Sequence, residues 1–105
     1  MSEATVLKEV MLEASKLGAK VWRNNTGGLY DQRGRFVRYG LCVGSSDLIG
    51  IYQGRFLAIE VKAKGQKATD EQLNFIRVIK EQGGIGFVCD DAKNLKNLLD
   101  AFLDE

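Results

Sequence analysis

Histidine and proline are both absent from this chain of 105 residues, and cysteine occurs only twice. Without histidine there is no Ser-His-Asp or Cys-His nucleophile system, no histidine-built zinc site and no imidazole proton transfer. Any catalysis falls to carboxylates, lysine, backbone groups or a metal. Cys42 and Cys89 are too few for a disulfide framework and form no CxxC pair, so both are expected as reduced strand residues of a cytoplasmic protein. No apolar run approaches the roughly 18 residues of a membrane span. The opening Ser2-Glu3-Ala4-Thr5 lacks the basic start and apolar core of a secretory signal. An excess of one charge is missing too, since the net charge is only +1.

What remains is an ordinary soluble balance, 45% hydrophobic and 28% charged, in a length that suits one small domain over residues 1–105. The charge is unevenly placed. Arg23, Arg33, Arg35, Arg38, Arg55, Lys62, Lys64 and Lys67 face only Asp31, Asp47 and Glu60 between positions 23 and 67, while the stretch from Asp90 to Glu105 is acidic. Such a distribution suits a protein with one positive face.

With no proline, glycine supplies the punctuation. Val6, Leu7, Val10, Ala14 and Leu17 fall on one helical stripe, with Ser2 as N-cap and Gly18 as the stop. Ala19–Arg23 reads as a short strand and Asn24–Gly28 as a polar, glycine-bearing loop. Asp31-Gln32-Arg33-Gly34 reads as a hairpin turn, and Arg35–Tyr39 alternates as a half-exposed strand would. Leu48–Tyr52 and Arg55–Lys62 form an antiparallel pair about Gln53-Gly54. Thr69 and Gln72 match a capping box opening a helix that Gly83-Gly84 ends; Ile85–Cys89 is a buried strand and Ala92–Leu103 a last helix. The order α-β-β-β-β-α-β-α predicts an α/β fold, a single domain with a mixed β-sheet flanked by helices. Trp22 and Phe87 are expected in its core.

Chemistry concentrates in Ser46-Asp47-Leu48-Ile49-Gly50 and Leu57-Ala58-Ile59-Glu60-Val61-Lys62. Residues two apart on a strand share a face, so Glu60 and Lys62 project together from an apolar strand. Two charges there cost desolvation free energy unless something uses them. A magnesium site would: it takes one or two carboxylates, with water and phosphate completing the shell. Asp47 and Glu60 supply the carboxylates, the Val61 carbonyl a further oxygen, and Lys62 a group to hold or help deprotonate the attacking water. Phosphodiester hydrolysis suits this set better than carbonyl chemistry, because no oxyanion-hole motif or covalent nucleophile is apparent.

Other residues carry two readings each. On a helix of about 100° per residue, Val6, Val10 and Ala14 lie within about 60° of Glu3. Glu3 thus begins the apolar stripe, either as a first-turn charge favoured by the helix dipole or as a carboxylate reaching the site; Glu9 falls off the stripe. Gln72 is either the capping-box acceptor or a group touching the site. Asn24 and Asn25, set among glycines, suit backbone or phosphate contacts. Arg33, Arg35, Arg38, Lys64 and Lys67 are singly solvated charges, yet together they surround the site as phosphate-positioning groups do. Tyr30 and Tyr39 are candidates for stacking.

Taken in order, Glu3 heading a helix, Trp22-Arg23-Asn24-Asn25, Gly44-Ser45-Ser46-Asp47-Leu48-Ile49-Gly50, Ala58-Ile59-Glu60-Val61-Lys62 and Thr69-Asp70-Glu71-Gln72-Leu73-Asn74-Phe75 resemble the virus-type replication-repair nuclease (VRR-Nuc) family of the PD-(D/E)xK superfamily. The resemblance implies a restriction-endonuclease-like core in which Asp47 and Glu60 bind Mg²⁺ or Mn²⁺, Lys62 is the catalytic lysine, Glu3 the helix glutamate and Gln72 the glutamine after the core motif. Ser46 stands where the superfamily's naming proline is expected. A stand-alone domain of this size is also similar to archaeal-type Holliday junction resolvases, which implies a homodimer acting on branched DNA. The alternatives are a nicking or restriction-like nuclease, a non-catalytic nucleic-acid-binding module on the same fold, and a small adaptor without nucleic acid.

Overall fold

The computed structural model describes residues 1–103; Asp104 and Glu105, the end of the acidic C-terminal stretch, lie outside the described residues. Helix α1 (Glu3–Lys16) starts at Ser2, whose hydroxyl accepts from the Thr5 N–H, and stops before Gly18, whose φ of +91° suits glycine. Four strands follow in the main sheet: β1 (Lys20–Arg23), β4 (Leu48–Tyr52), β5 (Arg55–Val61) and β6 (Ile85–Cys89), in the order β1-β4-β5-β6. The first two pairings are antiparallel and β5–β6 is parallel. The β4–β5 turn places Gln53 and Gly54 at φ +49° and +79°, as a tight hairpin turn requires.

Helix α2 (Asp70–Glu81) makes the crossover between the parallel strands, and α3 (Leu95–Leu103) follows a short 3₁₀ turn at Ala92–Asn94. Successive strand residues face opposite ways. Phe87 meets Phe102 of α3, whereas at Gly86 even a methyl group would come within 3.2 Å of Ile76 of α2. Helices α1 and α3 therefore cover one face and α2 the other. The main core lies under α1 and α3, built from Val6, Val10, Leu48, Leu57, Ile59, Val61, Ile85, Leu95 and Leu99.

Two expectations need correction. Trp22 is 58% exposed: it pairs with Ile49 on the α2 face, but α2 packs on β5 and β6 and leaves β1 uncovered. Cys42 is an exposed loop residue, and only Cys89 is a buried strand residue.

The expected hairpin about Asp31–Gly34 forms, but its first strand starts earlier than expected, taking in Gly27 and Gly28 of the predicted loop. Gly27–Tyr30 (β2) pairs with Phe36–Tyr39 (β3) in a separate two-stranded sheet. A Cβ on Gly28 would strike the Phe36 ring, and one on Gly27 would come within 2.7 Å of the Tyr39 hydroxyl. The two rings lie across the bare glycines, on opposite faces, and give these residues the packing that their own side chains lack. Every residue of β2 and β3 is exposed, so β3 is open on both faces rather than half-covered.

Candidate active site

Glu60 lies near the carboxyl end of β5 and is only 1% exposed. The β4–β5 register pairs Leu48 with Ile59; carried one position further, it sets Asp47 opposite Glu60. Directly opposed antiparallel residues project to the same face, so the two carboxylates are neighbours by construction. Asp47 precedes β4, and its carbonyl accepts from the Asn24 N–H at 2.8 Å, which keeps it in line with β1. Its Oδ2 accepts from the Val61 N–H at 2.9 Å, where β4 no longer offers a backbone partner.

The loop before Asp47 is pinned by Asn24. The Asn24 amide donates to Ser45 Oγ at 2.7 Å and to the Ser46 carbonyl at 3.0 Å, and Ser45 Oγ donates to the Cys42 carbonyl at 2.7 Å. Asn24, read from the sequence as suited to backbone or phosphate contacts, makes the backbone contact here and works as the strut of the Asp47 loop. Ser46 is wholly buried, and its hydroxyl has no partner among the described residues.

The Glu60 carboxyl is pushed up to about 8, first by burial and then by the Asp47 carboxylate, with Glu3 adding to it; the Lys62 ammonium acts in the opposite sense. Its Oε2 is buried without a hydrogen-bond partner. Lys62, one residue beyond β5, is half-buried and near enough for its charge to act on Glu60, with its N–H tied to the Cys89 carbonyl at 3.1 Å. An orphaned carboxylate oxygen beside a second carboxylate fits a divalent cation, which would supply the missing positive charge. Among the described residues no three His, Cys, Asp or Glu side chains group closely enough to hold a metal. A cation bound by Asp47 and Glu60 would fill its shell with backbone oxygen, water and phosphate.

Glu3, the first residue of α1, shares a cleft with Ala4, Leu7, Asp47 and Val61. Glu9 lines a different cavity, with Lys64, Asp90 and Asp91. A larger cleft of about 440 Å³ joins Asp47 to Leu7, Arg23, Asn24, Asn25, Thr26 and Tyr39. Thr26 was not singled out from the sequence, and Arg23 was named only in the basic stretch and in the Trp22-Arg23-Asn24-Asn25 motif, without a role in the site. Gln72 forms the capping box, its Oε1 accepting from the Thr69 N–H at 2.8 Å. Arg33 and Arg35 sit at the β2–β3 turn, where Arg35 Nε donates to Asp31 at 2.9 Å, and Arg38 lies over Phe36. Lys64 and Lys67 are exposed on the loop after β5.

The profile of the VRR-NUC domain matches residues 30–92, a span that holds Asp47, Glu60, Lys62 and Gln72 but stops short of Glu3. No curated protein sequence matches the chain.

Proposed function

The chain belongs to the VRR-NUC domain family, a nuclease-type family, and on that premise we propose that it is a metal-dependent DNA endonuclease, selective for branched DNA and acting as a homodimer. The observation that carries this reading is the Asp47–Glu60 pair, one carboxylate oxygen of which is buried without a partner. Asp47 and Glu60 would hold Mg²⁺ or Mn²⁺, with the Val61 carbonyl as a further donor. The bound ion would supply a water nucleophilic at neutral pH and offset charge on the attacked phosphate.

The rest belongs to the chain itself. The Asn24 strut and the Val61 N–H hold Asp47 in one orientation, so little reorganisation is needed as substrate arrives. Lys62, with three donors on its ammonium, orients the attacking water and steadies a phosphate oxygen. Glu3 borders the cleft and is placed to take part in positioning that water. Asn25, Lys64 and Lys67, with the arginines of the β2–β3 turn, hold the phosphate backbone on either side. Gln72 acts through the cap that sets the start of α2. Two sites related by a two-fold axis would cut opposed strands of a junction.

The test is cleavage of linear duplex, flap and four-way junction DNA with Mg²⁺, Mn²⁺ or EDTA. Cutting is expected with either ion, greatest on the junction, and lost by at least about a hundredfold in Asp47→Asn and Lys62→Ala, the loss expected when a group acting on the reaction is removed. Cleavage that survives both substitutions would sink the site assignment. Equal cutting of plain duplex would favour a nicking or restriction-like nuclease.

A further inference from the structure

The β2–β3 hairpin has a surface that the phosphodiester chemistry does not use. On one face of the hairpin, Gly28 pairs with Arg38 and Tyr30 with Phe36, so Tyr30, Phe36 and Arg38 form a row. The Tyr30 and Phe36 rings meet edge to face at 5.4 Å, and the Arg38 guanidinium lies 5.5 Å from the Phe36 ring centre. The Phe36 ring rests on bare Gly28, which fixes its plane. Tyr30 and Phe36 remain 72% and 53% exposed.

We infer that this row is a stacking platform for unpaired bases of a nucleic-acid strand, an inference that rests on the nucleic-acid reading above for its class of partner. Charge argues for a polyanion. Arg33, Arg35 and Arg38 stand against Asp31 alone, and the Asp31 carboxylate already accepts from the Arg33 and Arg35 N–H groups and from Arg35 Nε. Two copies meeting through this face would set arginines against arginines, which is unfavourable. Aromatic rings with a neighbouring guanidinium match the faces of bases, while the turn arginines match the phosphates between them. Bases inside a duplex are stacked on each other and cannot reach such a row, so the platform selects unpaired ones. The hairpin also reaches the carboxylates, through its other face: Tyr39, next to Arg38 but facing the opposite way, borders the same cleft as Asp47.

The measurement is fluorescence anisotropy of a short oligothymidylate and of a blunt duplex, in EDTA, with the full chain carrying Asp47→Asn. Adding Tyr30→Ala/Phe36→Ala is expected to weaken single-strand binding about tenfold or more, with duplex binding changed less than about twofold and the melting temperature retained. Gly28→Val, which displaces the Phe36 ring, should give the same selective loss. Unchanged single-strand affinity, or an equal loss on both probes, would overturn the inference. A fall in molar mass on the double substitution would overturn it too and assign the surface to a second copy. Because binding is read without metal or cutting, wild-type chain that cuts nothing would sink the nuclease reading and leave this result standing.

Discussion

Glu60 gives the metal-free protein a pH-dependent contribution to stability. In the unfolded chain its carboxyl titrates near 4.5, and in the fold burial and Asp47 move it up to about 8. Between those values the folded state binds more protons than the unfolded one, so stability falls as pH rises. The stability this group contributes is complete below about pH 4.5 and is lost progressively toward pH 8. Urea titrations in EDTA should show a decline across that window of at most about 5 kcal/mol, at about 1.4 kcal/mol for each pH unit between the two values. Glu60→Gln should abolish it, and added Mg²⁺ should restore stability in the wild type but not in the variant. Stability that is flat with pH would contradict the burial argument. The sequence offered only the premise, a charged Glu60 on an apolar strand; its burial and the Asp47 neighbour that raise its pKa are tertiary. The fate of Trp22 was not legible either, since an aromatic on a strand is buried or bare according to whether a helix crosses that strand, and α2 does not cross β1.

Elements show where local and tertiary signals part. The capping box of α2 was readable, because Thr69 and Gln72 stand at the required spacing and nothing distant is needed. Thr69→Ala should cost about 1 kcal/mol, and Gln72→Ala a similar amount. Gln72→Glu, which keeps the acceptor, should retain stability in thermal melts. If the Glu variant also keeps full cleavage, Gln72 acts through the cap. The hairpin about Asp31–Gly34 was readable, but the start of β2 was not, because two successive glycines signal a loop; only the aromatic rings arriving from β3 make them a strand. Gly50 is a further case: a Cβ there would collide with the Lys20 carbonyl across β1. Gly50→Ala should therefore loosen β1 and cost about 2 kcal/mol or more, measurable by chemical denaturation.

The whole molecule measures 50 × 32 × 24 Å, with a radius of gyration of 14.4 Å, against about 13 Å for a compact chain of this length. Among the described residues no helix is long and apolar enough to cross a membrane. The fold class followed from element order, whereas the separation of β2–β3 from the main sheet did not, because strand pattern says nothing about which strands pair across long loops. The proposed homodimer predicts a solution mass twice the 11.6 kDa of one chain by light scattering; a single-chain mass would count against paired incision. Binding through several phosphates should weaken steeply with salt. Replacing Lys64 and Lys67 by glutamine should reduce that slope by about 1 for each phosphate no longer neutralised.

The hydrogen bond from the Val61 N–H to Asp47 Oδ2 joins the sheet backbone to the carboxylate pair through a single proton. That amide is therefore a resident spectroscopic reporter. Its proton and nitrogen resonances should move as a cation binds to the Asp47 carboxylate. A titration followed at Val61 would read occupancy of the centre directly, with no substrate present and no bond broken.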